Sequence, residues 1–108
     1  MSKRSSDRRF YLVHALDAPG KQELRQQLGP THREYMMTHQ QQLLVGGPLL
    51  SEEGTQRIGS AFIIQAESRE QVEALMRQEP YNAGGVFESV IIRLFESVMF
   101  EPTLLQEE

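Results

Sequence analysis

Four apolar runs of strand length, separated by two stretches of helical composition, set the main limit on what this chain can fold into. Arg9 to Leu16 reads as the first strand, because aromatic and branched residues fill it and Asp17-Ala18-Pro19-Gly20 closes it as a turn. Period two puts Phe10, Leu12 and His14 on one of its faces. Lys21 to Gln42 is rich in Glu, Gln, Leu, Met and Arg, but Gly29-Pro30 interrupts it, and proline is well tolerated only in the first turn of a helix. The expectation is a short helix over 20–28 and a second from Pro30 to about Gln42. Leu43 to Val45 predicts a short strand closed by Gly46-Gly47-Pro48, followed by a polar loop from Ser51 to Arg57 and a strand over Gly59 to Gln65. Ser68 is placed as the N-cap of a helix carrying Val72, Leu75 and Met76 at helical spacing and ended by Pro80. Val86 to Phe100 is the last strand region.

The resulting order is strand, helix, strand, strand, helix, strand, which predicts an α+β class with the split βαββαβ arrangement of ferredoxin-like folds. Such a sheet carries both helices on one face, so its other face should be polar if it meets water. Yet Ala61-Phe62-Ile63-Ile64 and Val90-Ile91-Ile92 are apolar on both faces. A second copy packed sheet against sheet is the simplest cover, and a homodimer is therefore expected.

With 108 residues the chain has room for one core. Eleven Lys and Arg against 15 Asp and Glu give a net charge of -4, which disfavours nucleic acid as the main partner. The chain has no cysteine, which removes disulfides, thiolate nucleophiles and cysteine zinc sites and fits a cytoplasmic protein. No run is long and apolar enough for a membrane span, and the basic start is not followed by the apolar segment of a secretory signal. The expected organisation is a flexible basic arm over 1–8, one domain over 9–101 and an acidic tail over 102–108.

None of the three histidines sits in a motif that is specific by itself. His32 and His39 share a helical spacing, but two turns separate them by about 10 Å, too far for one metal ion. No metal site and no cofactor are expected. His39 reads as a solvated helix residue. His32 reads as lying in the first turns of the second helix, next to N–H groups without helical partners, where an anion could be held. Taken alone, a plain polar residue near a cap is the simpler reading. Glu79 lies before Pro80, where the backbone is biased to extended geometry, and puts a negative charge at a helix C-terminus, against the dipole. The pairs Gly46-Gly47 and Gly84-Gly85 read as turns, since neither has the spacing of a phosphate loop.

Together these segments resemble the YCII-related (YciI-like) family of dimeric α+β barrel proteins. The matching pieces are HALDAPG at 14–20, Arg25, Pro30-x-His32-x-x-Tyr35, GGPLL at 46–50, GSAFIIQAESREQVEALM at 59–76, EPY at 79–81 and GGVFESVIIRLF at 84–95. They cover about residues 9 to 97. The resemblance implies a pocket between helix and sheet near a dimer interface, with a histidine and an aspartate as a catalytic dyad. His32 falls on that histidine and Glu79 on the aspartate, one methylene longer. Gly29 stands where the family usually has an arginine, although Arg25 matches the earlier one.

On this resemblance His32 and Glu79 are the expected catalytic pair. Arg25, His14, Tyr35 and Tyr81 are the expected substrate contacts. Two functions stay open at this point. One is a cofactor-independent enzyme using general acid and base chemistry on a small polar or aromatic anion. The other is a module of the same fold that binds a small ligand or partner without turnover.

Overall fold

The computed structural model describes residues 8–105. Its elements are β1 (Arg9–Asp17), α1 (Gln22–Thr38), β2 (Leu43–Leu50), β3 (Arg57–Ala66), α2 (Arg69–Gln78), α3 (Pro80–Ala83) and β4 (Phe87–Phe95), with short 3-10 turns at Gln40–Gln42 and Pro102–Leu105. The strands form one antiparallel sheet in the order β2-β3-β1-β4. This is the ferredoxin-like arrangement, with α3 as an added single turn.

Register decides which side chains meet. Val13 lies opposite Phe62 on β3 and Ile92 on β4, and with Tyr11 and Ile64 they form the face that receives the helices. Met36 of α1 and Val72 and Met76 of α2 complete that core. α2 follows from its sequence directly, since the Ser68 hydroxyl accepts the Gln71 N–H at its start and the apolar residues at 72 and 76 fall on its inward face. The opposite sheet face carries Phe10, Leu12, His14 and Leu16 of β1 beside Ile63 of β3 and Ile91 of β4. Leu16 is 38% exposed and Ile91 42%.

Three local expectations are corrected. Gly29-Pro30 does not divide the helix, because α1 runs unbroken through it, with Pro30 inside. A Cβ on the residue before proline is what clashes in the helical region, and glycine has none. Pro30 and Gln26 are both exposed, so water can satisfy the Gln26 carbonyl that Pro30 leaves without a donor. The helix also ends at Thr38, with the Gln40–Gln42 turn after it. Next, Gly46-Gly47-Pro48 lies inside β2 and does not close it. β2 is an edge strand, where a proline lacking its N–H costs no ladder bond. Finally, β4 stops at Phe95, well short of Phe100. Of the two expected tails, residues 1–7 and 106–108 lie outside the described residues, and Pro102–Leu105 is a 3-10 turn.

Candidate functional site

α1 turns Arg25, Gly29, His32 and Met36 toward the sheet, a 4-3-4 spacing that keeps them on one face. Only Met36 is apolar. This inward face carries polar groups in place of a hydrophobic stripe, and everything else in the site is built around them.

Arg25 is 5% exposed and held by a two-pronged contact with Asp17 at the end of β1, Nε to Oδ2 at 2.7 Å and Nη2 to Oδ1 at 3.0 Å. Nη2 also donates to the Ser60 hydroxyl of β3 at 3.0 Å. A buried guanidinium is stable only when its charge and its donors are satisfied together, and Asp17 does both. Arg25 thereby ties α1 to two strands.

Tyr81 of α3 reaches the same helix face. Its ring lies 4.3 Å from the Arg25 guanidinium carbon and stacks on the His32 ring at 4.1 Å between centroids, with 17° between planes. Two planar groups this close to one centroid must occupy opposite ring faces, so Tyr81 sits between successive inward turns of α1. Gly29 lies between those turns, and a Cβ there would be 3.6 Å from the Tyr81 hydroxyl. The phenol ring thus occupies the space that a longer residue at 29 would need.

His32 Nδ1 is hydrogen-bonded to Oε2 of Glu79. The Glu79 side chain is fully buried, and both of its oxygens also take backbone partners, Oε1 from the Asn82 N–H at 3.1 Å and Oε2 from the Tyr81 N–H at 3.2 Å. The Glu79 backbone is extended (φ -64, ψ 127), as the following Pro80 favours, so this residue ends α2 and caps α3 at once. The dipole cost expected from the sequence is thereby offset, because α3 presents its N-terminus to the same carboxylate. With Glu79 accepting, Nδ1 carries the ring proton and the lone pair of His32 is on Nε2. The carboxylate fixes both tautomer and ring orientation.

His32 lines a cavity of about 270 Å³ between α1 and the β2–β3 edge, whose walls include Arg25, Arg33, Gly46, Arg57, Phe62 and Tyr81. Gly46 is required there, since a Cβ would come within 2.7 Å of the Phe62 ring. Among the described residues no three His, Cys, Asp or Glu side chains gather as a metal-binding group.

The structure therefore brings together four of the six expected site residues, His32, Glu79, Arg25 and Tyr81. His32 reaches the site from the middle of α1, not from a helix N-terminus, because the helix does not restart at Pro30. Tyr35 lies elsewhere: its hydroxyl donates to the Leu75 carbonyl at 2.7 Å and fastens α1 to α2. Burial raises the Tyr35 pKa above its usual 10.0, and the Glu79 charge adds to the shift. His14 is on the opposite face of the sheet, next to Ala61 and Ile91. Asp17, Ser60, Arg33 and Arg57 were not singled out in the sequence. Only Asp17 carried a signal, one acidic residue in a turn eight positions before a buried arginine.

A family model for the YCII-related domain matches residues 9–96. The chain belongs to the YCII-related domain family. Protein YciI of Escherichia coli O6:H1 is 30% identical over 96 residues, which span 82% of this chain and 98% of that protein. YciI of Shigella flexneri matches to the same extent. Among solved structures, 5-chloro-2-hydroxyhydroquinone dehydrochlorinase (TftG) from Burkholderia phenoliruptrix AC1100, in complex with 2,5-dihydroxybenzoquinone, superposes with a TM-score of 0.75 at 25% identity, covering 81% of this chain and 93% of that one. A structure from Bacteriodes thetaiotaomicron VPI-5482, named for the antibiotic biosynthesis monooxygenases, shares the fold alone, with a TM-score of 0.57 at 10% identity over 89% of this chain and 94% of that one. No helix of this YCII-related chain, among the described residues, is long and apolar enough to cross a membrane.

Proposed function

We propose that this YCII-related protein is a small enzyme that needs no cofactor and performs general acid and base chemistry on a small hydroxylated aromatic anion. The observation that carries the reading is the His32–Glu79 pair, a cavity-lining imidazole oriented through Nδ1 by a buried carboxylate. An imidazole so held can take a proton at Nε2 while the carboxylate stabilises the resulting cation, and return it in a later step. The likeness to a dehydrochlorinase that binds a dihydroxybenzoquinone supports a flat ring as the occupant. Such a ring would meet Phe62 and the edge of Tyr81, whose two faces Arg25 and His32 already cover.

A second reading is favoured by one observation. Glu79 also caps α3 through two backbone N–H groups, a structural duty that needs no chemistry, so the same pair would serve in a protein that only binds its ligand. We propose further that the working unit is a homodimer, supported by the apolar sheet face that the helices leave uncovered.

The first test is chloride release and quinone formation with a panel of halogenated hydroquinones that includes 5-chloro-2-hydroxyhydroquinone. Wild type is expected to turn over at least one of them, and His32→Ala to lower kcat by about 100-fold or more, the usual contribution of a positioned acid or base. Glu79→Gln keeps an oxygen for the Asn82 N–H, so a loss of about 10-fold or more with the fold intact reports on orientation of the ring. Saturable binding with no turnover across the panel selects the second reading.

A further inference from the structure

The structure points to Arg33 and Arg57 as the groups that select substrate, and we infer that they clamp a carboxylate carried on the aromatic ring, outside the reach of the His32–Glu79 pair. This deepens the proposed enzymatic reading and rests on it for the identity of the ring.

Arg25 is the obvious anion-binding residue by sequence, but Asp17 meets its charge at 2.7 Å, so it brings little net positive charge to a ligand. Arg33 and Arg57 differ from it. Neither has an ion-pair partner among the described residues, and both are exposed. They come from different elements, α1 and the start of β3, and both line the cavity that holds His32. Both also line a second, outer cavity of about 490 Å³. The two cavities share Arg25, Arg33, Arg57 and Tyr81, so the unpaired guanidinium groups stand where one opens toward the other.

Arg33 is folded back along its own helix. A Cβ on Gly29, one turn earlier, would lie 3.6 Å from Arg33 Nη1 and equally far from the Tyr81 hydroxyl, so guanidinium and phenol flank the same point at the cavity wall. In a chain of net charge -4, two unpaired arginines converging on one opening form a local positive field at the entrance. Guanidinium groups bind carboxylates through paired N–H donors, a geometry that a neutral hydroxyl does not match. The ligand class is therefore a hydroxylated benzoate. Its ring meets Phe62 and the edge of Tyr81, whose two faces Arg25 and His32 cover, and its carboxylate faces Arg33 and Arg57.

The test compares binding of gentisate (2,5-dihydroxybenzoate) and hydroquinone to the full chain by calorimetry at fixed salt. Wild type is expected to prefer gentisate by about 10-fold or more, the range of a charge-assisted pair. Arg33→Gln and Arg57→Gln should each lower that preference several-fold and the double variant should abolish it, with melting temperature unchanged. Arg77→Gln, an exposed arginine on α2, should leave it intact. Equal affinity for the two probes in wild type, absence of gentisate binding at millimolar concentration, a preference that survives the double variant, or one that falls equally in Arg77→Gln would each overturn the inference. A preserved gentisate preference in a protein that turns over nothing would instead refute the catalytic reading and leave the clamp standing.

Discussion

Tyr35 shows how one side chain can belong to a family-like motif and still serve the frame around the site. Its hydroxyl spans from α1 to the Leu75 carbonyl of α2, and burial together with the Glu79 charge holds the phenol in its neutral form. The folded pKa lies above the usual 10.0, so the associated stability is fully present below pH 10 and is lost as pH rises through the folded value. Urea unfolding from pH 7 to 11 should therefore show wild type weakening steeply at the alkaline end, and Tyr35→Phe weakening less over that interval. At pH 7 the same variant should be less stable by about 1 kcal/mol through the lost hydrogen bond. A parallel pH dependence in both proteins would exclude Tyr35 as the titrating group.

α1 is the element on which the site depends, and Pro30 is its weak point. The helix holds Arg25 and His32 at a fixed separation with the Tyr81 ring between them, although Pro30 forgoes a hydrogen bond and crowds the preceding turn. An interior proline costs a helix about 3 kcal/mol, of which restricting the unfolded chain returns about 1. Pro30→Ala is accordingly expected to stabilise the protein by about 1–2 kcal/mol, read as a raised denaturant midpoint with unchanged slope. A fall in the midpoint would mean that the proline ring itself makes packing that the helix needs. β2 makes the complementary point, since Gly46 and Pro48 read as a break yet fit an edge strand that must pass close to Phe62.

For the whole molecule the open face of the sheet is the dominant fact. Ile91 (42% exposed), Val45 (40%), Leu16 (38%) and Phe95 (36%) lie uncovered, and Val98, Met99 and Phe100 add exposed apolar surface beyond β4. Several exposed apolar side chains on one sheet face mark an interaction surface. Light scattering at micromolar concentration is expected to give about twice the 12.4 kDa of one chain. Ile91→Glu places a charge where the single chain already meets water, so it should yield a folded species of 12.4 kDa. A wild type that scatters as one chain at every concentration would remove the dimer.

Local signals in the chain determined the number and order of the four strands though not the ends of β2 and β4, the capped helix after Ser68 and the extended turn at Glu79-Pro80, because alternation, capping and the proline constraint act between near neighbours. The resemblance added the His32–Glu79 pairing across 47 positions, which no periodicity could reach. Only the tertiary structure decided that α1 continues through Gly29-Pro30, since packing against the sheet outweighs a local breaker whose cost is a few kcal/mol. It alone assigned Arg25 to Asp17 and left Arg33 and Arg57 at the cavity with no ion-pair partner among the described residues. All three arginines look alike in a linear sequence. Their roles depend on which carboxylates lie within a few ångströms, and that distance is set by sheet register and helix placement.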